Sequence, residues 1–372
     1  MLCPRCHREI KDAGWNMHQG MCSGPAPAVR PAPVASQPAP SPTPAPVQPE
    51  VKAVSTDLVA PVTVVDIPKD GNGSIEVFYP DADPYFVVPL NVYNALMDAD
   101  KLSHKKPTCV LLTGHAGGGK TSVALQLAAR TQWDGKQRPA VVADFGVVQE
   151  PQQLFQTTRL IQGKGESMVT DTRESGFIRG IETPGCVVIM DELTRVENER
   201  CLNPLMPLLD GRHKTWIDEL RRRVHVAPGV IFVATINEGS LFCGITSLDA
   251  ALRDRFGEVF MDYLKPEQEL LVIQNKTGAP ESIAKSLAQF AFVVRDTDTI
   301  ERKVSTRQLL RAAEYYMVGA PLWHAVEISL GNYNDKKWRQ EVMQIFSLNI
   351  FDETELKKWQ QRRDSDDSFV QF

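Results

Sequence analysis

Residues 108–130, TCVLLTGHAGGGKTSVALQLAAR, constrain the fold of this chain more than any other stretch. An apolar run of strand character leads into a loop of glycines, and the loop opens directly into a helix with apolar residues at helical spacing. That succession of buried strand, glycine loop and amphipathic helix is the pattern of an α/β domain. The loop, residues 114–121, matches GxxxxGK[ST] at every position. Gly114, Gly117, Gly118 and Gly119, with His115 and Ala116 between them, let successive backbone N–H groups turn toward phosphate oxygens. The helix N-terminus adds its positive dipole end, Lys120 is expected to reach the β and γ phosphates, and Thr121 to ligate Mg2+. Ser122 completes the candidate nucleotide-contacting set.

Two further apolar strands end in polar groups. Residues 185–195, GCVVIMDELTR, finish on adjacent carboxylates. Asp191 is expected to hold Mg2+ through its water shell, and Glu192 to orient and deprotonate an attacking water. Residues 230–237, VIFVATIN, end in Thr235 and Asn237. Of the two, Asn237 is the favoured partner for a γ-phosphate or the lytic water. The implied ligand is ATP with Mg2+.

The rest of the chain divides around this core. At 372 residues it is long enough for two or three units. A formal net charge of -5 offers no excess of positive charge of the kind that coats a general nucleic-acid binder. No uncharged apolar run of roughly 18 or more residues occurs, and no charged-then-apolar start, so the expected address is the cytoplasm, without membrane contact. Of seven cysteines, three cluster at the start and Cys109, Cys186, Cys201 and Cys243 are scattered, which fits a reducing compartment. The opening cluster places Cys3, Cys6, His18 and Cys22 in the pattern C-x2-C-x11-H-x3-C. A CxxC turn aims two thiolates at one point, and residues four apart share a helix face, so the four form a candidate tetrahedral Zn2+ site. His7 is an alternative ligand. So short a segment needs the metal to fold. The expected organisation is a finger at 1–23, a disordered Pro/Ala-rich linker at 24–55, an α/β nucleotide-binding domain at 56–264, a helical lid at 265–350 and a charged tail at 351–372 that reads as an exposed helix with a frayed end.

With GHAGGGKT, VVIMDE and ATIN in that order, the chain resembles AAA+ ATPases, and in detail the MoxR and dynein-related branch that includes the CbbQ, NirQ, GvpN and CobS-like proteins. The stretch NPLMPLLDGRHKTWIDELRRRVHVAPGVIFVATIN follows that branch's order of helix, LLDGR turn, β-hairpin and sensor strand. LDAALRDRFGEVFMDYL resembles its arginine-finger segment, and VSTRQLLRAA its second sensor. The resemblance implies a P-loop parallel sheet flanked by helices, with a C-terminal helical lid. It further implies a catalytic arginine finger at Arg255, with Arg253 as the alternative, a second sensor at Arg307, and a ring, most often a homo-hexamer. CPRC and NMHQGMC resemble the small ββα zinc fingers whose best-known members bind ubiquitin, but Gly20 stands where those carry an acidic residue. The resemblance therefore carries the zinc site and not ubiquitin binding.

Two insertions mark the branch. Residues 163–185 are expected to hold a hairpin within the second helix, and RHKTWIDELRRRVHV reads as strand, turn and strand. Facing a ring pore, Trp216, Arg221, Arg222 and Arg223 would grip a polypeptide or a phosphate backbone; the alternative is a solvated hairpin with one packed Trp. The leading expectation is a motor that remodels or activates a partner protein, including partners with a von Willebrand A domain, with the finger as recruitment head. A nucleic-acid motor or loader is the alternative, and an ATP-assembled scaffold a third, against which the Asp191–Glu192 pair argues.

Overall fold

Neighbouring residues in the central strands face opposite apolar layers, and this alternation makes the sheet a buried partition. In β1 (Thr108–Gly114), Leu111 enters one layer while Val110 and Leu112 enter the other. The same division holds in β4 (Ala140–Asp144), β7 (Val187–Asp191) and β10 (Ile231–Thr235), where Val141, Val188 and Phe232 face the first layer and Val142, Ile189 and Val233 the second. With β11 (Gly257–Met261) they form a five-stranded parallel sheet in the order β11-β1-β10-β7-β4. The computed structural model describes residues 76–162, 168–196, 198–218, 220–237, 248–331 and 336–364. The cysteine and histidine cluster at residues 3–22, the Pro/Ala-rich segment and Cys243 lie outside them.

Helices α1 (Leu90–Ser103) and α2 (Lys120–Arg130) cover the second layer through Val92, Leu96, Val123, Ala124 and Leu127. The first layer is closed by Phe155 of α3 (Gln152–Phe155), by Phe177, Ile178 and Ile181 of α4 (Gly176–Ile181), and by Leu208 and Leu209 of α5 (Met206–Leu209). Three two-stranded hairpins are appended: β2 (Gln132–Trp133) with β3 (Lys136–Gln137), β5 (Gln156–Gln162) with β6 (Met168–Glu174), and β8 (Lys214–Ile217) with β9 (Arg222–His225). The β5–β6 hairpin begins earlier than the 163–185 insertion predicts, and residues 176–181 are helical. The sheet's lower end is fastened by Arg138, which is fully buried and donates to Asp100 Oδ1 at 2.9 Å, Ser103 Oγ at 2.7 Å and the carbonyls of Gly185 and Gly229 at 3.0 and 2.7 Å. That satisfied cation leaves the upper end, where the polar strand termini gather, as the side available for chemistry.

After β11 the short helix α6 (Ala250–Arg253) lies behind and a helical region ahead. It comprises α7 (Pro266–Thr277), α8 (Glu281–Asp296), α9 (Thr306–Met317), α10 (Leu322–Leu330), α11 (Lys336–Leu348) and α12 (Glu353–Asp364), around a separate core that includes Leu287, Phe290, Leu309, Val326 and Phe346. The charged segment after residue 350 is helical, as expected, but not wholly exposed. Trp359 packs edge-on against Phe346, and the buried Glu355 accepts the backbone N–H of Leu322 at 2.7 Å, capping α10. Among the described residues no helix is long and apolar enough to cross a membrane.

Candidate nucleotide site

The phosphate loop leaves the top of β1, whose neighbours are β10 on one side and β11 on the other. Gly114, Gly117 and Gly119 take φ values of 142°, 71° and 93°, a region that L side chains seldom enter. At Gly114 there is also no room, because a Cβ would lie 2.2 Å from the carbonyl oxygen of Met261. Gly119 precedes α2, so the helix starts at Lys120 with its first N–H groups turned into the loop.

Lys120 is buried and donates from Nζ to the carbonyls of Gly114 and His115, at 3.0 and 2.8 Å, and to Asn237 Oδ1 at 2.8 Å. The ammonium is thus held inside the loop by its carbonyls. Thr121 Oγ1 donates to Asp191 Oδ1 at 2.7 Å, and Thr235 Oγ1 donates to the same oxygen at 2.6 Å. Thr235 Oγ1 in turn accepts the backbone N–H of Glu192 at 3.0 Å. Glu192 itself adopts φ 54°; its Oε1 accepts from Asn237 Nδ2 at 3.5 Å and its Oε2 from Arg195 at 2.6 Å. One connected network therefore joins the loop, the acidic strand end and the sensor strand end. The hydroxyl of Thr121 and the carboxylate of Asp191, both hard oxygen donors, suit Mg2+.

The sequence reading favours Asn237 over Thr235; each makes two side-chain hydrogen bonds here, Asn237 with Lys120 and Glu192 Oε1, Thr235 with Asp191 and the Glu192 N–H. Arg195 is not singled out by that reading at all, although it stands in the same DELTR run. Ala116, Gly118 and Ser122 complete the loop and first helical turn.

A second set of contacts joins the loop to the helical region. His115 stacks on Tyr263 with ring centroids 4.7 Å apart and planes 1° from parallel, and the Arg295 guanidinium covers Tyr263 at 3.9 Å. Arg295 makes a two-pronged pair with the fully buried Glu269 at 2.6 and 2.9 Å, and Glu269 Oε1 accepts from Thr306 at 2.7 Å. Burial holds the His115 pKa below the ordinary imidazole value against the opposing pull of Asp262, so the ring is neutral at pH 7. Burial likewise pushes the Tyr263 phenol up to about 12. Arg307, the second-sensor candidate, follows Thr306; its Cβ is 3.5 Å from the point a Cβ on Gly117 would occupy.

The other arginines are placed differently. Arg253 binds Glu258 of β11 with two hydrogen bonds, at 2.8 and 2.5 Å. Arg255 donates to the carbonyls of Met206, at 3.3 Å, and Ala251. On the β8–β9 hairpin, Arg222 is held by both oxygens of Glu182, at 2.6 and 2.7 Å, and by Glu174 at 2.7 Å. It ties the hairpin to the end of β6 and to the residue after α4. Trp216, by contrast, is 56% exposed and is not a packed anchor. Cys109 is partly buried in β1 and Cys186 fully buried beside the sheet, where desolvation raises their thiols, the former to about 12. Neither is reactive at neutral pH.

A phosphate loop at the top of β1, flanked by β10 and β11 and facing an acidic strand end, defines a P-loop nucleotide-binding protein of AAA+ architecture. Comparison with known proteins agrees with that class. Residues 109–256 match the AAA domain of the dynein-related subfamily, and residues 269–347 match the CbbQ/NirQ/NorQ C-terminal domain. BssE of Thauera aromatica, classed as a candidate chaperone, is 35% identical over 274 residues, covering 74% of this chain and 91% of that protein. NorQ of Paracoccus denitrificans is 26% identical over 264 residues, covering 70% and 88%. The denitrification regulatory protein NirQ of Pseudomonas aeruginosa is 25% identical over 172 residues, covering 45% and 65%. The chain belongs to the dynein-related AAA ATPases with a CbbQ/NirQ/NorQ C-terminal domain, a MoxR-like family.

Proposed function

We propose that this chain hydrolyses ATP and uses the resulting conformational change to remodel or activate a partner protein. The observation that carries the hydrolytic half is the network from Thr121 through Asp191 and Thr235 to Glu192. In it the candidate metal ligands are tied through Thr235 to the backbone of the residue that carries the candidate base. In the reaction a water oxygen attacks the γ-phosphorus, the bond to the β,γ-bridging oxygen breaks, and ADP and phosphate leave. Glu192 takes the proton from the water. Lys120 exchanges its carbonyl partners for phosphate oxygens, and Asn237, hydrogen-bonded to both Lys120 and Glu192, holds the water between them. Mg2+ held through Thr121 and Asp191 supplies charge neutralisation on the phosphates. Arg307, close to the loop, is the second sensor, and Arg255 acts in the neighbouring subunit of a homo-hexameric ring.

Support for a protein substrate comes from the relatives: BssE is classed as a candidate chaperone and NirQ as a regulatory protein. The engagement of Arg222 by two carboxylates removes one cation from the hairpin that a nucleic-acid motor would use. In this reading the Cys3, Cys6, His18 and Cys22 finger binds Zn2+ and recruits the partner on its Pro/Ala-rich tether, raising the partner's concentration near the ring.

The test is the ATPase rate of the wild type and Glu192→Gln, each with and without single- and double-stranded DNA and RNA. The expected result is hydrolysis indifferent to nucleic acid and reduced on the order of a hundredfold or more in the variant. Strong stimulation of the wild type by nucleic acid would replace the protein-remodelling reading with a nucleic-acid motor. A wild type no faster than Glu192→Gln would overturn the hydrolytic assignment.

A further inference from the structure

Glu192 is held at both carboxylate oxygens, and the two holders differ in kind. Oε1 receives the neutral amide of Asn237, whose own oxygen accepts from Lys120, so this oxygen lies on the phosphate-loop side. Oε2 receives the guanidinium of Arg195 at 2.6 Å. The local chain produces this second contact. Residues Leu193–Arg195 form a 3-10 turn, in which side chains three apart eclipse, and the Arg195 N–H donates to the Glu192 carbonyl at 2.8 Å. Gly146, just after β4, lies in ordinary contact range of the pair. A Cβ there would stand 3.4 Å from Glu192 Oε2 and 3.6 Å from the Arg195 side chain.

The pair is poorly suited to a structural role. The Arg195 side chain is 51% exposed and that of Glu192 29%, and ion pairs this open to water add little to stability. Holding a long arginine in one rotamer costs entropy for that small return, so the contact is better explained by what it does to the carboxylate. A glutamate that must take a proton from water along one line of approach loses rate when its carboxylate rotates freely.

We propose that Arg195 is a positioning residue for hydrolysis: it fixes Oε2 of Glu192 so that Oε1 is the oxygen presented to the attacking water. The proposal rests on the hydrolytic reading above and adds a residue to it. In this role Arg195 acts only through Glu192.

The experiment compares wild type, Arg195→Ala, Arg195→Lys, Glu192→Gln and the Arg195→Ala/Glu192→Gln double variant. Steady-state kcat and KM for ATP, ADP affinity and thermal midpoint are measured for each. In Arg195→Ala kcat is expected to fall roughly ten- to a hundredfold, with KM and ADP affinity within about twofold of wild type. Arg195→Lys keeps the charge but not the planar fork and should recover part of the lost kcat. The double variant should be no slower than Glu192→Gln, because Arg195 has nothing left to position.

An Arg195→Ala enzyme with unchanged kcat overturns the proposal, and so does one with raised kcat, which would make the contact a restraint. A loss confined to KM or to the thermal midpoint would also overturn it, since that is a structural effect. If Arg195→Ala does not fold, Arg195→Lys decides: a lowered kcat at unchanged KM supports positioning, and unaltered kinetics oppose it. A wild type no faster than Glu192→Gln sinks the hydrolytic reading and this role together, whereas a competent wild type beside an unimpaired Arg195→Ala sinks this role alone.

Discussion

At Gly117 two separate constraints meet in one residue. Its φ of 71° is unfavourable for any side chain, and a Cβ would fall 2.9 Å from both the Cβ and the Oγ of Ser305, the cap of α9. Gly117→Ala should therefore weaken nucleotide binding about tenfold or more, since the loop pays roughly 1 to 2 kcal/mol for the left-handed backbone alone and α9 must also retreat. The two causes can be separated in a titration with fluorescent ADP. Adding Ser305→Gly removes the atoms in the way at small cost to the cap, so the double variant should recover affinity only in part. Full recovery would mean the backbone carries no strain, and no initial loss would mean the loop does not bind phosphate. At this scale the sequence is most legible where chemistry is local. The loop, Asp191 and Glu192 stand at the ends of strands that apolar runs announce. Arg195 and Tyr263 are opaque because their roles depend on a turn and on a packing across elements that spacing does not encode.

Tyr263 shows the same point for whole elements. It lies between β11 and α7, with the loop's His115 against one face and Arg295 of α8 against its ring. The stack is aromatic and cationic, so Tyr263→Phe should keep it and Tyr263→Ala should not. The expected consequence of the alanine is faster amide hydrogen exchange in α9, which is fastened through Glu269 and Thr306 to Arg295, with exchange in β1, β7 and β10 unaltered. Equal exchange in wild type and Tyr263→Ala would show that the stack does not hold the helical region to the loop. The lid helices are readable from helical spacing, and the core strands from their apolar runs. The β5–β6 hairpin is not, because the reading placed an insertion where relatives carry one, while the polar and β-branched run QTTRLIQ already begins a strand. For the last helix it is the packing, not the helix, that is hidden. Its dense charge masks Trp359 and Glu355, whose partners Phe346 and Leu322 lie on α11 and α10.

For the molecule as a whole, the two candidate finger arginines differ in what must be given up to release them. Arg253 is bound by the carboxylate of Glu258, whose own pKa that guanidinium holds down, and its departure would leave a charge unpaired. Arg255 rests on the carbonyls of Ala251 and Met206, neutral acceptors that water can satisfy. On the ring proposed above, release therefore favours Arg255 as the residue that would reach a neighbouring subunit. In a head-to-tail ring each active site takes Glu192 from one subunit and the finger from the next. Arg255→Ala and Glu192→Gln should then each bind ATP and turn it over poorly, while Arg253→Ala keeps activity within a few fold. Mixing the first two variants should restore hydrolysis, because an Arg255→Ala subunit supplies an intact base to a Glu192→Gln neighbour that supplies an intact finger. With random incorporation at equal amounts, recovery should reach about a quarter of the wild-type rate, the chance that a given interface pairs the two intact residues. No recovery on mixing, with both variants shown to co-assemble, would place the required arginine within the same chain as the base. An Arg253→Ala that is inactive alone and recovers on mixing with Glu192→Gln, beside an Arg255→Ala that keeps its activity, would transfer the role to Arg253 and mean that the Glu258 pair opens during the cycle.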